Sequence, residues 1–175
     1  MPTNKLREMR DERWTKVGVT FVLVLWWWLG AEVAYEPVGE VVDTIWEHLG
    51  WMVNHANVWH LAGNVFVLWC MKGRLHIAAG VAIAFICSWF PVLPGVWEMF
   101  VDGDTSATVG FSGVLCGMIG VKWGAWIKSC NDIAAYVTFG KRVLLVLLVG
   151  AFVPHINWSI HVYCVMVGLA YGRYK

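Results

Sequence analysis

Six apolar runs, separated by short polar or charged segments, constrain this chain more than any other feature of its sequence. Runs of this kind are typical of helices in lipid, where each segment has to satisfy its own backbone hydrogen bonds. Hydrophobic residues make up 59% of the chain and charged residues 14%, against about 45–50% and about 25% in soluble domains. The sequence therefore predicts an all-α membrane protein, with runs at about 17–35, 56–71, 75–93, 112–127, 142–153 and 158–172.

The segments between these runs differ in character. Residues 1–16 are polar and basic, as in a cleaved signal peptide, but the long first run and the further runs behind it favour a retained helix. Segment 36–54 mixes acidic with apolar residues and is expected to lie in the membrane interface. Residues 94–109 are expected to form a second outer loop, and residues 128–141 a polar loop.

All basic residues fall on one side of the predicted membrane. Six crossings place both termini on the same side, which the positive-inside rule makes cytoplasmic. We therefore expect a cytoplasmic segment 1–16, a single six-helix membrane domain over 17–175, and location in the plasma membrane. The outer side receives only acidic residues: Glu32, Glu36, Glu40, Asp43, Glu47, Glu98, Asp102 and Asp104. The inner side receives Lys5, Arg7, Arg10, Arg13, Lys16, Lys72, Arg74, Lys122, Lys128, Lys141, Arg142, Arg173 and Lys175.

The fourth run begins with Ser112 inside the motif Gly110-Phe111-Ser112-Gly113. Glycines leave space around the hydroxyl, and backbone amides at a helix N-terminus are available to a developing oxyanion. A short run entered from the outer side implies a water cavity, because irregular backbone at that depth is tolerated only inside protein or beside water. The alternative is that Ser112 acts only as a helix N-cap.

Polar side chains that are rare in membrane helices share the predicted depth of Ser112. His60 and Asn64 are four residues apart on one face of the second run, so both can donate hydrogen bonds to one oxyanion. His161 in the sixth run can serve as the general base for a serine. His55, nearer the surface, is predicted to brace the loop. The plainer alternatives are a hydrogen-bonded core histidine at 161 and an Asn64 bond to a neighbouring helix.

Glycines on the fourth run recur at a spacing that permits close helix packing in membranes. The sixth run carries Gly168 seven residues after His161, on the same face. Tight packing of these two helices is expected to bring Ser112 near His161. The glycines of the fourth run are Gly113, Gly117, Gly120 and Gly124.

The order of these motifs resembles the rhomboid intramembrane serine proteases. The resemblance rests on His55 at the outer start of the second run, on His60 and Asn64 within it, on the Gly-Phe-Ser-Gly motif around Ser112, and on His161 in the sixth run. It covers the chain from about Val17 to Gly172. It implies a six-transmembrane-helix bundle whose short fourth helix starts at a central, outer-facing cavity.

The resemblance also implies roles for individual residues. Ser112 and His161 match the catalytic dyad, and His60 and Asn64 match the oxyanion-stabilising side chains, beside the amides of Ser112 and Gly113. The family cleaves transmembrane proteins near their outer ends, without a cofactor or metal. Transmembrane substrates and the lipid bilayer are therefore the expected partners, nucleic acid is not, and no oligomeric state is predicted.

Two cysteines depart from the family pattern. Cys116 occupies the position four residues after the serine where many relatives have Tyr, and Cys164 a position where many have Gly. The first outer loop also lacks the Trp-Arg pair of many members. These departures favour, as the alternative, a catalytically inactive rhomboid-like protein that binds membrane helices. A small transporter or channel with a pore lined by His and Asn is a third hypothesis. No zinc or disulfide pattern is evident among Cys70, Cys87, Cys116, Cys130 and Cys164.

Overall fold

The computed structural model describes residues 3–30, 45–91, 93, 109–129, 132–151 and 157–175. These residues form seven helices: α1 (Thr3–Trp28), α2 (Ile45–Gly50), α3 (Val58–Cys70), α4 (Ile77–Cys87), α5 (Ser112–Ser129), α6 (Ile133–Ala151) and α7 (Trp158–Tyr174). Within the described ranges, no helix combines the length and the apolar character that a membrane span requires. The predicted second, third, fourth and sixth runs correspond to α3, α4, α5 and α7.

The polar loop predicted over 128–141 is wrong from Ile133 onward, where α6 begins. The side chain of Asp132 accepts a hydrogen bond from the backbone N–H of Ala134 at 3.0 Å, and its carbonyl accepts from Tyr136 N–H at 3.2 Å. An aspartate in this position caps a helix, and the residues that follow it, Ile133 to Phe139, are mostly apolar and can continue that helix. The predicted outer loops 36–54 and 94–109 are described only at residues 45–54 and 109, and the rest of both lies outside the described residues.

Close contact between α5 and α7 forms the centre of the fold. A methyl group added at Gly120 would overlap the carbonyl oxygen of Val165, and one added at Gly172 would overlap that of Val121. Glycines at these positions therefore let the two backbones touch, as the spacing of small residues predicts. The buried apolar side chains around this contact include Val114, Leu115, Met118, Val121, Ile160, Cys164 and Val165.

Helix α4 completes this centre on another side of α5. A methyl group at Gly80 of α4 would lie 2.7 Å from Met118 Cγ and 2.8 Å from the Val114 carbonyl oxygen. Ile83, Ala84 and Cys87 of α4 are buried in the same core. Because α5 contacts both α4 and α7, the position of its first residue depends on both helices.

Helix α1 runs without a break across the predicted boundary at residue 16. Lys16 is buried, and its ammonium group contacts the Glu12 carboxylate at 2.7 Å. The same ammonium donates to the Trp69 carbonyl oxygen at 3.3 Å and to that of Met71. These carbonyls lie at the C-terminal end of α3, where a cation is electrostatically favourable. The hydrogen bonds from Lys16 to these two carbonyls therefore attach α1 to the end of α3.

Alanine at Gly172 is expected to lower the free energy of unfolding by about 1–3 kcal/mol, the usual range for forcing extra carbon atoms into a packed interior. The reason is that its methyl group would meet the Val121 carbonyl and push α5 away from α7. Gly63 is the matched control, since a methyl group there has nothing within 4 Å. Gly63→Ala should be neutral or stabilise by up to about 1 kcal/mol. Unfolding in detergent measures both variants, and equal losses would contradict the backbone contact.

Candidate active site

Ser112 and His161 meet where the N-terminal turns of α5 and α7 come together. The Ser112 hydroxyl oxygen lies 2.7 Å from Nε2 of His161, and both side chains are half-buried. The hydroxyl can donate to Nε2 when the neutral ring carries its proton on Nδ1. A serine hydroxyl bonded to an imidazole in this way is arranged for deprotonation during nucleophilic attack.

Ser112 is the first helical residue of α5, as the sequence predicts, and it does not hold the cap position. The carbonyl of Phe111 accepts the N–H of Leu115 at 3.0 Å, so Phe111 precedes the helix as its cap residue. The amides of Ser112 and Gly113 belong to the first turn, where N–H groups have no intrahelical acceptor. The interpretation of Ser112 as only an N-cap is therefore wrong.

Gly110, two residues before Ser112, lies next to the polar side chains His60 and Asn64 of α3. Its φ of 119° is strained for residues with a side chain, and its N–H donates to the Trp51 carbonyl at 2.8 Å. A methyl group at Gly110 would lie 2.7 Å from His60 Nε2 and 3.4 Å from Asn64 Nδ2. Both α3 side chains therefore lie against the space beside Gly110 that a larger residue would fill, two positions before Ser112.

Asn64 carries an unused hydrogen-bond donor. Its side chain is 6% exposed, and its amide nitrogen makes no hydrogen bond to any residue that the structure describes. Leaving a buried donor unsatisfied costs about 1–3 kcal/mol, so the group needs an explanation. His60, one turn earlier, is fixed at the start of α3, where its N–H donates to the Asn57 cap oxygen at 2.9 Å.

Trp51 covers the other side of the serine. Its ring is fully buried, and a methyl group at Gly113 would lie 2.7 Å from Trp51 Cη2 and 3.7 Å from Cys164 Sγ. The backbone carbonyl of Trp51 already holds Gly110, so this residue contacts the chain on both sides of Ser112. Of the two unusual cysteines, Cys164 is buried in this contact, while Cys116 is half-buried.

A buried pair that the sequence analysis missed holds the helix that precedes Trp51. His48 and Ser88 are each 1% exposed, and His48 Nδ1 lies 2.8 Å from Ser88 Oγ. Ser88 donates its own proton to the Phe85 carbonyl at 2.6 Å, so it accepts from His48 and is not set up as a nucleophile. The His48 ring stacks on Trp89 with centroids 3.8 Å apart. This pair therefore ties α2 to the end of α4.

His55 supports His60 from the loop before α3. Its Nδ1 lies 3.0 Å from the Val53 carbonyl, and its ring meets that of His60 edge to face at a centroid distance of 5.2 Å. Burial, followed by the charge of His60, lowers the pKa of His55 to about 4. His55 is therefore neutral near pH 7 and contacts the loop backbone, where the sequence places it.

The described ranges contain no group of three or more His, Cys, Asp or Glu side chains arranged around a common point. Cys70, Cys87, Cys116 and Cys164 are free thiols. The polar groups that the structure brings together around Ser112 are thus a histidine from α7 and a histidine and an asparagine from α3.

A serine bonded to a histidine, at a helix N-terminus and beside further donors, is the arrangement by which serine hydrolases are recognised. The family model of the Rhomboid domain matches residues 42–175, which is most of the chain, and the chain belongs to the rhomboid family. The resemblance predicted from the sequence is thereby confirmed. This all-α family is membrane-embedded and consists generally of intramembrane serine proteases, with inactive members. No curated protein shows a significant match to the sequence.

The pKa of His55 predicts acid sensitivity. Because the folded state holds this ring neutral, its contribution to stability is complete above the ordinary histidine pKa near 6.5. That contribution is lost as the pH falls toward about 4, when the ring is protonated in the folded state as well. His55→Asn keeps an N–H for the Val53 carbonyl and removes the titration. Unfolding between pH 7 and pH 4 should show a shallower loss for this variant, and an unchanged slope would contradict the assignment.

Proposed function

We propose that this protein is an intramembrane serine protease that cleaves transmembrane proteins through a Ser112–His161 dyad. The observation that carries this proposal is the 2.7 Å contact between Ser112 Oγ and His161 Nε2. Membership of a family made up generally of such proteases supports it. A dyad is proposed rather than a triad because α7 contains no Asp or Glu.

The proposed reaction has two halves. Ser112 Oγ attacks the scissile carbonyl carbon while its proton passes to His161 Nε2, and the tetrahedral intermediate expels the amine, which takes that proton. A water molecule from the outer-facing cavity then gives its proton to His161 and hydrolyses the acyl-enzyme. Ser112 regains its proton from the imidazole as the new carboxylic acid leaves, and the acid then ionises in water.

Four groups would stabilise the oxyanion in both halves. They are the backbone amides of Ser112 and Gly113 and the side chains of His60 and Asn64. The buried amide nitrogen of Asn64 supports this role, because it donates to no residue that the structure describes and so is available to the charge that develops in the transition state. Gly110 and Trp51 contribute indirectly, by keeping these groups against the serine.

The alternative is a catalytically inactive rhomboid-like protein that binds membrane helices. Cys116 and Cys164 at unusual positions, and the presence of inactive members in the family, support it. A fluorophosphonate probe separates the two functions, because it labels only a serine that is activated as a nucleophile. Labelling of Ser112 is the result expected for the protease.

Ser112→Ala and His161→Ala are each expected to abolish cleavage of a reporter transmembrane substrate, since each removes one partner of the proposed proton transfer. Both variants should still insert into membranes and purify with a normal unfolding temperature. Ser129→Ala is the matched control, because this exposed serine lies at the other end of α5 and, among the described residues, its hydroxyl bonds to carbonyls of its own helix. Normal turnover in either dyad variant would refute the mechanism.

Asn64→Ala is expected to slow turnover by about 10- to 1000-fold, up to the usual effect of losing one oxyanion donor. KM should change much less, because the carbonyl oxygen becomes negative only on the way to the tetrahedral state. His60→Ala should act similarly, with a double variant that loses less than the sum. If Asn64 is instead structural, its variant will unfold at lower temperature and keep its rate per folded molecule.

We further propose a multi-pass topology with six crossings in the plasma membrane and both termini in the cytoplasm. The asymmetric distribution of the 13 Lys and Arg supports this orientation. In a bacterial host, a fluorescent protein fused after Lys175 should fluoresce, and a phosphatase that works only outside the cytoplasm should be inactive there. The opposite pair of results would refute the orientation.

A further inference from the structure

A cavity of about 350 Å³ lies between α5, α6 and the segment that joins α3 to α4. It lies along the C-terminal half of α5, and its nearest α5 residue is seven positions beyond Ser112, so it is separate from the proposed catalytic site. Its volume falls within the range of small-molecule sites. The residues that line it are Met71, Lys72, Ile119, Lys122, Trp123, Trp126 and Phe139.

Aromatic rings build one wall of this cavity. Phe139 of α6 meets Trp123 and Trp126 of α5 edge to face, with ring centroids 5.4 and 5.8 Å apart. Tyr136 adds a third ring contact to Trp123 at 5.9 Å. Such contacts hold α5 and α6 together at this end and present ring faces and edges to whatever occupies the space. Met71 and Ile119 make the rest of the apolar lining.

Two lysines supply all the formal charge of the lining. The ammonium of Lys122 donates to the backbone carbonyl of Lys72, which fixes it at this end of α5, while the Lys72 side chain is exposed. Among the described residues, Glu12 and Lys16 both act on Lys122 electrostatically with opposite sign, and these two are paired with each other at 2.7 Å. Two positive charges therefore border an apolar cavity whose lining includes no carboxylate.

We propose that this cavity binds one anionic glycerophospholipid, with the phosphate at Lys72 and Lys122 and acyl-chain carbon against Trp123, Trp126 and Phe139. Basic pockets between membrane helices are suited to anionic headgroups. A free phosphate would make no contact with the aromatic wall. A zwitterionic headgroup has no net negative charge, so the two lysines would attract it less strongly than an anionic one. The family is membrane-embedded, so lipid molecules surround the protein at high concentration. The inference does not depend on the proposed protease activity.

The test is the ratio of lipids that the full-length protein retains after exposure to equal amounts of phosphatidylglycerol and phosphatidylcholine, read by native mass spectrometry. The wild-type protein should retain the anionic lipid preferentially. Lys72→Gln and Lys122→Gln should each lower this preference roughly fivefold, the effect of one cation close to a lipid surface. Equal retention of the two lipids by the wild-type protein would overturn the proposal.

Lys141→Gln is the matched control, because it removes the same charge from an exposed position on α6 that does not line the cavity. Its lipid preference should equal that of the wild type, and a loss as large as that of Lys72→Gln would overturn the proposal. Lys72→Gln keeps the backbone carbonyl that accepts from Lys122. It therefore tests the site even if Lys122→Gln folds poorly.

Inorganic phosphate distinguishes the two sources of the anion. Phosphatidylglycerol should raise the unfolding temperature of the wild-type protein in detergent, and inorganic phosphate at the same concentration should not. A shift of equal size with phosphate alone would assign the lysines to a free anion and overturn the lipid site. The shift with phosphatidylglycerol should be smaller in Lys72→Gln than in Lys141→Gln, and equal shifts would count against the site.

Discussion

The contact between the backbones of α5 and α7 is the interaction on which the rest of the structure depends. Gly120 and Gly172 allow it, since a single methyl group at either position would overlap a carbonyl of the facing helix. Close approach gains dispersion energy over many atom pairs and needs no polar partner. It also sets the distance between the helix N-termini, and thereby the 2.7 Å separation of Ser112 from His161.

A second set of contacts determines the local geometry of the serine. Trp51 holds Gly110 through its carbonyl and covers Gly113 with its ring, while the α2 helix before it is tied to α4 through His48 and Ser88. Gly110 adopts a backbone conformation open mainly to glycine, and the buried amide nitrogen of Asn64 has no hydrogen-bond partner among the residues that the structure describes. Strain and unsatisfied groups persist where the surroundings hold them, and they concentrate at functional sites.

The two ends of α5 carry different chemistry. Its N-terminal turn offers amides, a hydroxyl and nearby imidazoles, all suited to a negative charge that develops during a reaction. The far end offers Lys122 beside Lys72 and an aromatic wall, which suit a permanent negative charge attached to apolar chains. Lys16 of α1 is a further cation near the C-terminal end of α3, but its ammonium is paired with the Glu12 carboxylate and donates to the Trp69 carbonyl.

The pattern of apolar runs was enough to predict four of the helices, the start of α5 at Ser112 and the close packing of α5 on α7, because helix formation and glycine contacts follow local composition and spacing. It missed the start of α6, where Asp132 caps a helix whose first residues, Ile133 to Phe139, are mostly apolar. It also missed His48 and Ser88, since burial depends on which distant segments cover a residue. The sequence by itself thus determined which groups for the candidate site are present and which helix carries each. Only the tertiary structure decided their distances, because Ser112, His161 and Asn64 lie on separate helices whose approach depends on packing throughout the core.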